Sequence, residues 1–313
     1  MSSFGTAHAE EPSELDEITV TATKTPRKET QVPAAVDVVS QETIEESRGW
    51  NVGETLEALP GVQAQSTNGA YDTHLIIRGA GAKALYGVRE IMVMVDGVPI
   101  TDPDSLTRLD MVDPSLIERI EVVKGPNSTL YGANAAGGVV NIITKSPLAA
   151  QGFRFEAGGG SYGARSLELQ YGGSGGNLFY LLSGTHRATD SWRDWNEFSS
   201  TQINGRFQYL LGDSADIDLS LSYTDADLKL PGRLTKEEFD EDSSQQTSEW
   251  VNMARDSEAF RLALAYQQEF DSLGEFKTQF YLQDWYHFHP VPTKINDGGA
   301  MVYGFDAQQD VPF

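Results

Sequence analysis

Residues 119–145 read RIEVVKGPNSTLYGANAAGGVVNIITK, and this stretch decides the fold. A strand-like run with apolar Ile120, Val122 and Val123 meets Gly125-Pro126, and Gly137-Gly138 leads into a second apolar run, 139–143. Glycines at this density mark backbone that turns tightly or lies close to other backbone. The stretch therefore predicts two strand-like runs separated by a compact glycine-rich connection.

Short motifs of the same kind precede it in a fixed order. They are PGV at 60–62, IRG at 77–79, VDGVP at 95–99, IERIEVVKGP at 117–126 and LYG at 130–132. In this order, the motifs resemble those of the plug domain of TonB-dependent outer-membrane receptors. The resemblance covers about residues 32–147 and implies a compact α+β plug domain.

Local signals within this region agree with an α+β unit. Ser40 suits the N-cap of a helix running through Glu46, and Asn51 suits the N-cap of a second helix that ends near Leu59. Short apolar runs at 36–39, 62–64, 75–77 and 91–95 predict strands.

After Pro147 the pattern changes to strict alternation of apolar and polar residues, clearest at 216–224. Such alternation places the two sets of side chains on opposite faces of a sheet. We expect about seven strands, near 152–160, 165–172, 177–187, 201–211, 215–225, 257–271 and 275–287. Tight connections (GGSGG, LGDSA, DSLGE) alternate with two long ones, 189–200 and 226–256. This favours an antiparallel transmembrane β-barrel over a soluble β-sandwich.

The predicted barrel is incomplete. Plugged outer-membrane transporters have about 22 strands, and residues 148–313 supply only about seven. We therefore expect a fragment or truncated form of a larger receptor; a half-barrel that assembles with another chain is the alternative. The expected domains are an N-terminal segment with a signal remnant (1–31), the plug (32–147) and the first part of the barrel (148–313).

The N-terminal segment contains a β-prone island, DEITVTA at 16–22, in otherwise polar sequence. Such an island can add as a strand to the sheet edge of a partner. Ala7-His8-Ala9 also has the form of a signal-peptidase site. In front of a plug, residues 17–22 resemble the TonB box, which implies binding of TonB, driven by ExbB-ExbD. The implied contact residues are Glu17, Ile18, Thr19, Val20, Thr21 and Ala22.

Composition excludes several other classes of protein. The formal net charge of −23 argues against binding of nucleic acid. The chain has no cysteine, so it forms no disulfide and no thiolate metal site. No catalytic motif emerges, so we expect no enzyme and no cofactor. His287 and His289 share a strand face, but we interpret them as rim or lumen surface and assign no metal site.

The resemblance implies import of a scarce ligand across the bacterial outer membrane by a monomer surrounded by lipid. Ligand would rest on plug loops near 66–74, 82–89 and 101–108 and on the first long outer loop. The residues expected to bind it are Tyr71, Tyr86, Arg89, Asp104, Arg108, Trp192, Arg193 and Trp195. Arg78 and Arg119 match plug arginines that, in the family, pair with barrel-wall glutamates.

A ferric siderophore or another iron chelate is the expected ligand, and cobalamin, another metal chelate or a glycan remain open. Two other functions are open as well. A binding-only or transport-incompetent fragment would keep the plug without a pore, and a soluble β-rich carbohydrate-binding protein would need no membrane.

Overall fold

The computed structural model describes residues 19–21, 27–28, 34–47, 50–66, 71–84, 87–102, 106–249, 251–271 and 273–311. Glu17, Ile18, Ala22, Tyr86 and Asp104, all predicted site residues, lie outside this part of the chain. The described residues form a plug with helices and a mixed sheet, followed by one large antiparallel sheet, which we call the wall.

The plug is an α+β unit built around a five-stranded sheet. Its elements are β1 (Thr19–Val20), β2 (Arg27–Lys28), β3 (Ala35–Val39), α1 (Gln41–Glu46), α2 (Val52–Glu57), β4 (Val62–Ser66), β5 (Thr73–Ile77), β6 (Ile91–Val95), β7 (Val98–Pro99), β8 (Ile117–Lys124), α3 (Ser128–Tyr131) and β9 (Gly138–Thr144). The sheet order is β3-β8-β9-β6-β7, with β6 and β9 parallel. The two apolar runs of the 119–145 stretch lie in the neighbouring strands β8 and β9.

Both expected helix starts are present. The Ser40 hydroxyl accepts from the Thr43 N–H at 3.4 Å, and Asn51 Oδ1 accepts from the Glu54 N–H at 2.9 Å. These oxygens satisfy N–H groups that have no partner within the helix. The second helix ends at Glu57, two residues before the predicted end. Within the described residues, no helix has the length and apolar character needed to cross a membrane.

The central plug sheet is buried on both faces. Ile120 and Val122 of β8 pack in one apolar cluster with α1 and α2, whereas Val123 faces a second cluster. That second cluster contains Ala135 and contacts Tyr131, so the glycine-rich connection covers this face. Each fully buried aliphatic side chain contributes about 1.5–3 kcal/mol, which makes the plug a domain with a core of its own.

The wall contains eight strands, each antiparallel to the next. They are β10 (Gly152–Gly159), β11 (Arg165–Gly175), β12 (Leu178–Thr189), β13 (Phe198–Leu210), β14 (Ala215–Lys229), β15 (Ala254–Phe270), β16 (Gly274–Val291) and β17 (Lys294–Asp310). A short helix, α4 (Lys236–Glu241), lies between β14 and β15.

The wall has eight strands where the sequence predicts about seven. The eighth strand, β17, contains Gly298-Gly299 and follows β16 after only Pro292-Thr293, so the sequence lacks a clear turn signal there. We call the end of the wall that carries connections 190–197 and 230–253 the long-loop end, and the opposite end the short-turn end. The 292–293 connection lies at the long-loop end, so its connections are not all long.

The wall is polar toward the plug and apolar on its outer face. One cross-strand row directed at the plug consists of Gln170, Ser183, Asn204, Ser222, Arg261 and Gln283. The next row, on the opposite face, consists of Tyr171, Leu182, Gly205, Leu221, Leu262, Leu282 and Tyr303. An apolar outer face over a polar interior is the pattern of a transmembrane barrel.

Charged side chains join the wall to the plug. Arg187 of β12 donates to Asp113 Oδ1 at 3.0 Å, in a pair with almost no exposure. Arg206 of β13 donates to the Thr144 carbonyl at 3.1 Å and to Asp218 at 3.0 Å. The plug therefore lies against the inner face of the wall through directional contacts.

Two glycines after β5 give a matched test of the plug backbone. Gly79 and Gly81 have φ of +89° and +86°, but a Cβ on Gly81 would lie 2.5 Å from the Leu75 carbonyl oxygen, whereas one on Gly79 meets nothing within 4 Å. We expect Gly79→Ala to cost about 1–2 kcal/mol from the left-handed backbone alone. Gly81→Ala should cost a further 1–3 kcal/mol or so from overpacking. Thermal unfolding of the two variants measures the difference, and equal losses would contradict the close approach at Gly81.

Candidate functional site

A cavity of about 650 Å³ lies at the long-loop end, between the plug loops and strands β15 and β16. Its volume is in the range that holds a small molecule. Plug and wall both line it: Asp72, Thr73, Gly87, Arg89, Leu106, Thr107, Arg108 and Asp110 from the plug, and Leu230, Glu249, Met253, Arg255, His287, His289, Val291, Pro292, Thr293, Lys294 and Asn296 from the wall and its loops.

Arg108 contacts two aromatic side chains of β16 that stack on each other. Its guanidinium lies 4.6 Å from the Trp285 ring centroid, and Nη2 donates to His287 Nδ1 at 2.9 Å. Trp285 stacks on His287 with centroids 5.2 Å apart and donates through Nε1 to Asp102 Oδ1 at 3.0 Å. Together these contacts fix the position of a cation at the cavity wall.

The hydrogen bonds also assign the tautomers of both histidines. Because a guanidinium only donates, His287 Nδ1 accepts, and the ring proton of His287 is on Nε2. Because a carbonyl only accepts, His289 Nδ1 donates to the Ala254 oxygen, at 2.5 Å. In its neutral form His289 therefore has a lone pair on Nε2, whereas His287 has an N–H donor at the same position.

Arg255 of β15 joins the wall to two plug loops in the same cavity. Its guanidinium donates to Asp72 Oδ1 at 2.9 Å and to Asp110 Oδ2 at 3.1 Å. The three side chains are only 12%, 7% and 4% exposed, respectively. Separating a buried guanidinium from either of two buried carboxylates would leave a buried charge without its counter-charge, at a large cost in free energy. This triad therefore anchors the plug loops to the wall.

The structure brings two of the predicted ligand residues together, because Arg89 and Arg108 both line the cavity. Tyr71 lies elsewhere: its ring stacks on Phe198 with centroids 3.8 Å apart, in an apolar cluster with Leu228. Burial, with a smaller contribution from Glu54, raises the pKa of Tyr71. Its observed contacts are thus packing of the plug against the wall.

The predicted residues of the first outer loop organise that loop. Arg193 donates to the carbonyl oxygens of Gly232 at 3.0 Å and Gln245 at 2.8 Å, and burial lowers the pKa of its guanidinium. Trp195 Nε1 donates to the Met253 carbonyl at 2.8 Å. These contacts join loop 190–197 to loop 230–253. Trp192 is half-exposed, and none of the predicted residues of this loop lines the cavity.

Near the short-turn end, the plug holds Thr21 of the predicted TonB box. The Thr21 N–H donates to Glu121 Oε2 at 2.8 Å, and its hydroxyl lies 3.0 Å from the same oxygen. Asn141 Nδ2 donates to the Thr21 hydroxyl at 3.2 Å. Glu121 and Asn141 are directly paired across β8 and β9 and are 0% and 2% exposed, so the anchor belongs to the plug core.

Arg119 supports this anchor from within the plug. It contacts Glu121 Oε1 at 2.9 Å and Glu118 at 3.4 Å. The observed partners are thus plug carboxylates rather than the wall glutamates implied by the resemblance. Arg78 is exposed at the turn after β5, where its N–H donates to the Gly61 carbonyl. The predicted pairing of both arginines with wall glutamates stays a prediction.

Sequence reasoning missed Arg255, Asp72, Asp110, Trp285 and Glu121. Alternation identifies Arg255 and Trp285 as members of one strand face, but it does not say which plug loop meets that face. The available signal for Glu121 was a carboxylate at 121 within an otherwise apolar run, since a buried charge requires a partner.

Comparison with known proteins agrees with this architecture. The family described as TonB-dependent Receptor Plug Domain matches residues 28–139. This chain carries a TonB-dependent receptor plug domain. Two similar curated relatives are vitamin B12 transporters named BtuB. The protein of Vibrio vulnificus strain CMCP6 is 31% identical over 155 residues, which cover 49% of this chain and 25% of that protein. That of Vibrio cholerae O395 is 27% identical over 274 residues, covering 84% and 42%.

Solved structures resemble the plug domain together with the wall. The unliganded ferric citrate transporter FecA superposes with a TM-score of 0.77 at 23% identity, covering 91% of this chain and 45% of that one. The ferric yersiniabactin receptor FyuA of Yersinia pestis gives 0.71 at 16% identity, covering 90% and 46%. The chain thus spans less than half the length of these relatives, and the likeness confirms a plug followed by part of a barrel. The relatives are transporters and receptors, in agreement with the prediction that this chain is not an enzyme.

Proposed function

We propose that the complete gene product imports a metal chelate across the bacterial outer membrane with energy from TonB. One observation carries the proposal. The same plug domain borders a ligand-sized cavity at the long-loop end and holds Thr21 of the predicted TonB box near the short-turn end. A plug that contacts both can couple ligand occupancy to access by TonB.

The proposed environment follows from the faces of the wall. The apolar outer face suits outer-membrane lipid, the long-loop end would face the exterior, and the short-turn end would face the periplasm. There TonB, energised by ExbB-ExbD, would bind residues 17–22 as an added strand. The receptor would act as a monomer.

An iron chelate, such as a ferric siderophore, is the leading ligand. The cavity combines Arg89, Arg108 and Lys294 with apolar side chains such as Leu230 and Met253, while Arg255 is bound by the carboxylates of Asp72 and Asp110. Guanidinium groups bind carboxylates and other planar anions with bidentate geometry. This mixture supports binding of an anionic chelate with an apolar portion.

Cobalamin is the second candidate, because the curated relatives named above are vitamin B12 transporters. A receptor for cobalamin would have to bind a larger ligand. The short connection at 292–293 and the loop at 230–253 both line the cavity. The space that these two segments leave therefore limits the size of the ligand.

The test is uptake by cells in which the complete gene product is the sole receptor, with radiolabelled ferric citrate and cyanocobalamin as probes. We expect one probe to accumulate in cells with TonB and only to bind the surface of cells without it. Surface binding without accumulation in both strains would replace transport with a binding-only function. Binding of neither probe would exclude ferric citrate and cobalamin as ligands.

A further inference from the structure

Side chains on the inward face of β16 contact one plug segment along the length of the strand. Gln279 Nε2 donates to the Gly97 carbonyl at 3.3 Å, and Gln283 Nε2 donates to the Pro99 carbonyl at 2.9 Å. Farther toward the long-loop end, Trp285 and His287 contact Asp102 and Arg108. We call plug residues 97–102 and 106–108 the wall-contact segment.

The wall-contact segment extends from the cavity toward the periplasmic end proposed above. Since a strand rises about 3.3 Å per residue, positions 279 to 287 of β16 span roughly 27 Å. At one end, Arg108 lines the cavity. At the other, the segment begins at Gly97, in the turn between β6 and β7.

Gly97 in turn contacts the residue that holds Thr21. The Gly97 N–H donates to Asn141 Oδ1 at 3.3 Å, and Asn141 Nδ2 donates to the Thr21 hydroxyl at 3.2 Å. The amide of Asn141 therefore has one partner in the wall-contact segment and one in the predicted TonB box. A shift of Gly97 would change the geometry of both hydrogen bonds.

Other wall-to-plug hydrogen bonds reach different parts of the plug. Gln170 of β11 donates to the Ser115 carbonyl at 3.1 Å, in the same kind of side-chain-to-backbone bond that Gln283 makes. Ser115 lies in the turn before β8, outside the wall-contact segment. Gln170 therefore serves as a control: it joins the plug to the wall by the same kind of bond as Gln283, but its partner lies outside the segment that connects the cavity with Asn141.

We propose that Gln279 and Gln283 are positioning residues for transport: they hold the wall-contact segment so that Gly97 and Asn141 keep Thr21 on the plug. A ligand that moves Arg108 would shift this segment along β16 and weaken the hold on Thr21. This inference rests on the proposed function for its purpose, but the contacts themselves are testable without ligand or TonB. The physical basis is a series of hydrogen bonds along β16, joined by the Trp285–His287 stack and the plug backbone, and the experiment below measures coupling along it.

The experiment places a spin label at Val20→Cys in the complete gene product and measures its mobile fraction by electron paramagnetic resonance. The chain has no native cysteine, so labelling within these residues is confined to that site. The variants are Gln279→Leu with Gln283→Leu, the control Gln170→Leu, and Thr21→Val, which removes the hydroxyl contacts of Thr21 to Glu121 and Asn141 but keeps its backbone N–H bond to Glu121. Thermal unfolding of each variant verifies folding.

We expect the double variant, which removes the bonds to Gly97 and Pro99, to raise the mobile fraction roughly fivefold, the change expected if the hold on Thr21 weakens by the net contribution of one hydrogen bond. Thr21→Val should do the same, and Gln170→Leu should leave the fraction unchanged. An equal rise with Gln170→Leu would mean general loosening of the plug and would overturn the inference, as would no rise with the double variant. A receptor that bound neither probe would exclude ferric citrate and cobalamin as ligands and leave this result intact.

Discussion

Deletion of residues 17–22 is expected to abolish ligand uptake and to leave ligand binding at the cell surface unchanged. The cavity lies at the long-loop end, whereas Thr21 contacts Glu121 and Asn141 within the plug near the other end of the wall. Removing the segment takes away the proposed strand for TonB without touching a residue that lines the cavity. The measurement is binding and uptake of the probe that the receptor imports, in the same cells.

A deletion of residues 10–15 is the matched control, because it removes the same number of residues from the polar sequence just before the box. It should retain both binding and uptake. Undiminished uptake after loss of residues 17–22 would refute their assignment as a TonB box. Loss of both activities in both deletions would indicate failed export or insertion rather than failed coupling.

Arg255→Met is expected to destabilise the attachment of the plug loops to the wall by about 3 kcal/mol, because it removes the cation to which two buried carboxylates are bound. Asp72 and Asp110 stay 7% and 4% exposed, with no guanidinium between them. The expected observations are a lower unfolding midpoint of the complete gene product and faster proteolysis within the plug.

The wall offers a matched control in Arg154→Met. Arg154 also contacts carboxylates, those of Glu45, Glu156 and Glu168, but its side chain is 44% exposed. Loss of this solvated network should cost less than about 1 kcal/mol. Adding Asp72→Asn and Asp110→Asn to Arg255→Met should recover most of the lost stability, since the two negative charges that the guanidinium balanced are then removed as well. No recovery would mean that packing of the arginine stem, not charge, is the main contribution.

Much of the fold could be predicted from the sequence because its signals are local. Gly125-Pro126 and Gly137-Gly138 bracket the connection between β8 and β9 as expected. Alternation located seven strands of the wall because each has one apolar and one polar face. It failed for β17, where a two-residue connection and paired glycines weaken the pattern.

The candidate site was less predictable because its residues come from distant parts of the chain. Arg255 meets Asp72 across 183 positions, and Glu121 meets Thr21 across 100. Residue type made Arg108 and Tyr71 equal candidates, yet only Arg108 lines the cavity, while Tyr71 packs on Phe198. Which aromatic or charged loop residue faces a cavity depends on how the plug sits against the wall.

The polar inner face of the wall has a consequence for movement of the plug. The uncharged hydrogen bonds between wall and plug, such as those of Gln170 and Gln283, can be replaced by bonds to water at a net cost of only about 0.5–1.5 kcal/mol each. The apolar clusters inside the plug have no such substitute. Under a pulling force, water would replace these uncharged hydrogen bonds as they break. They should therefore break before the apolar core of the plug unfolds.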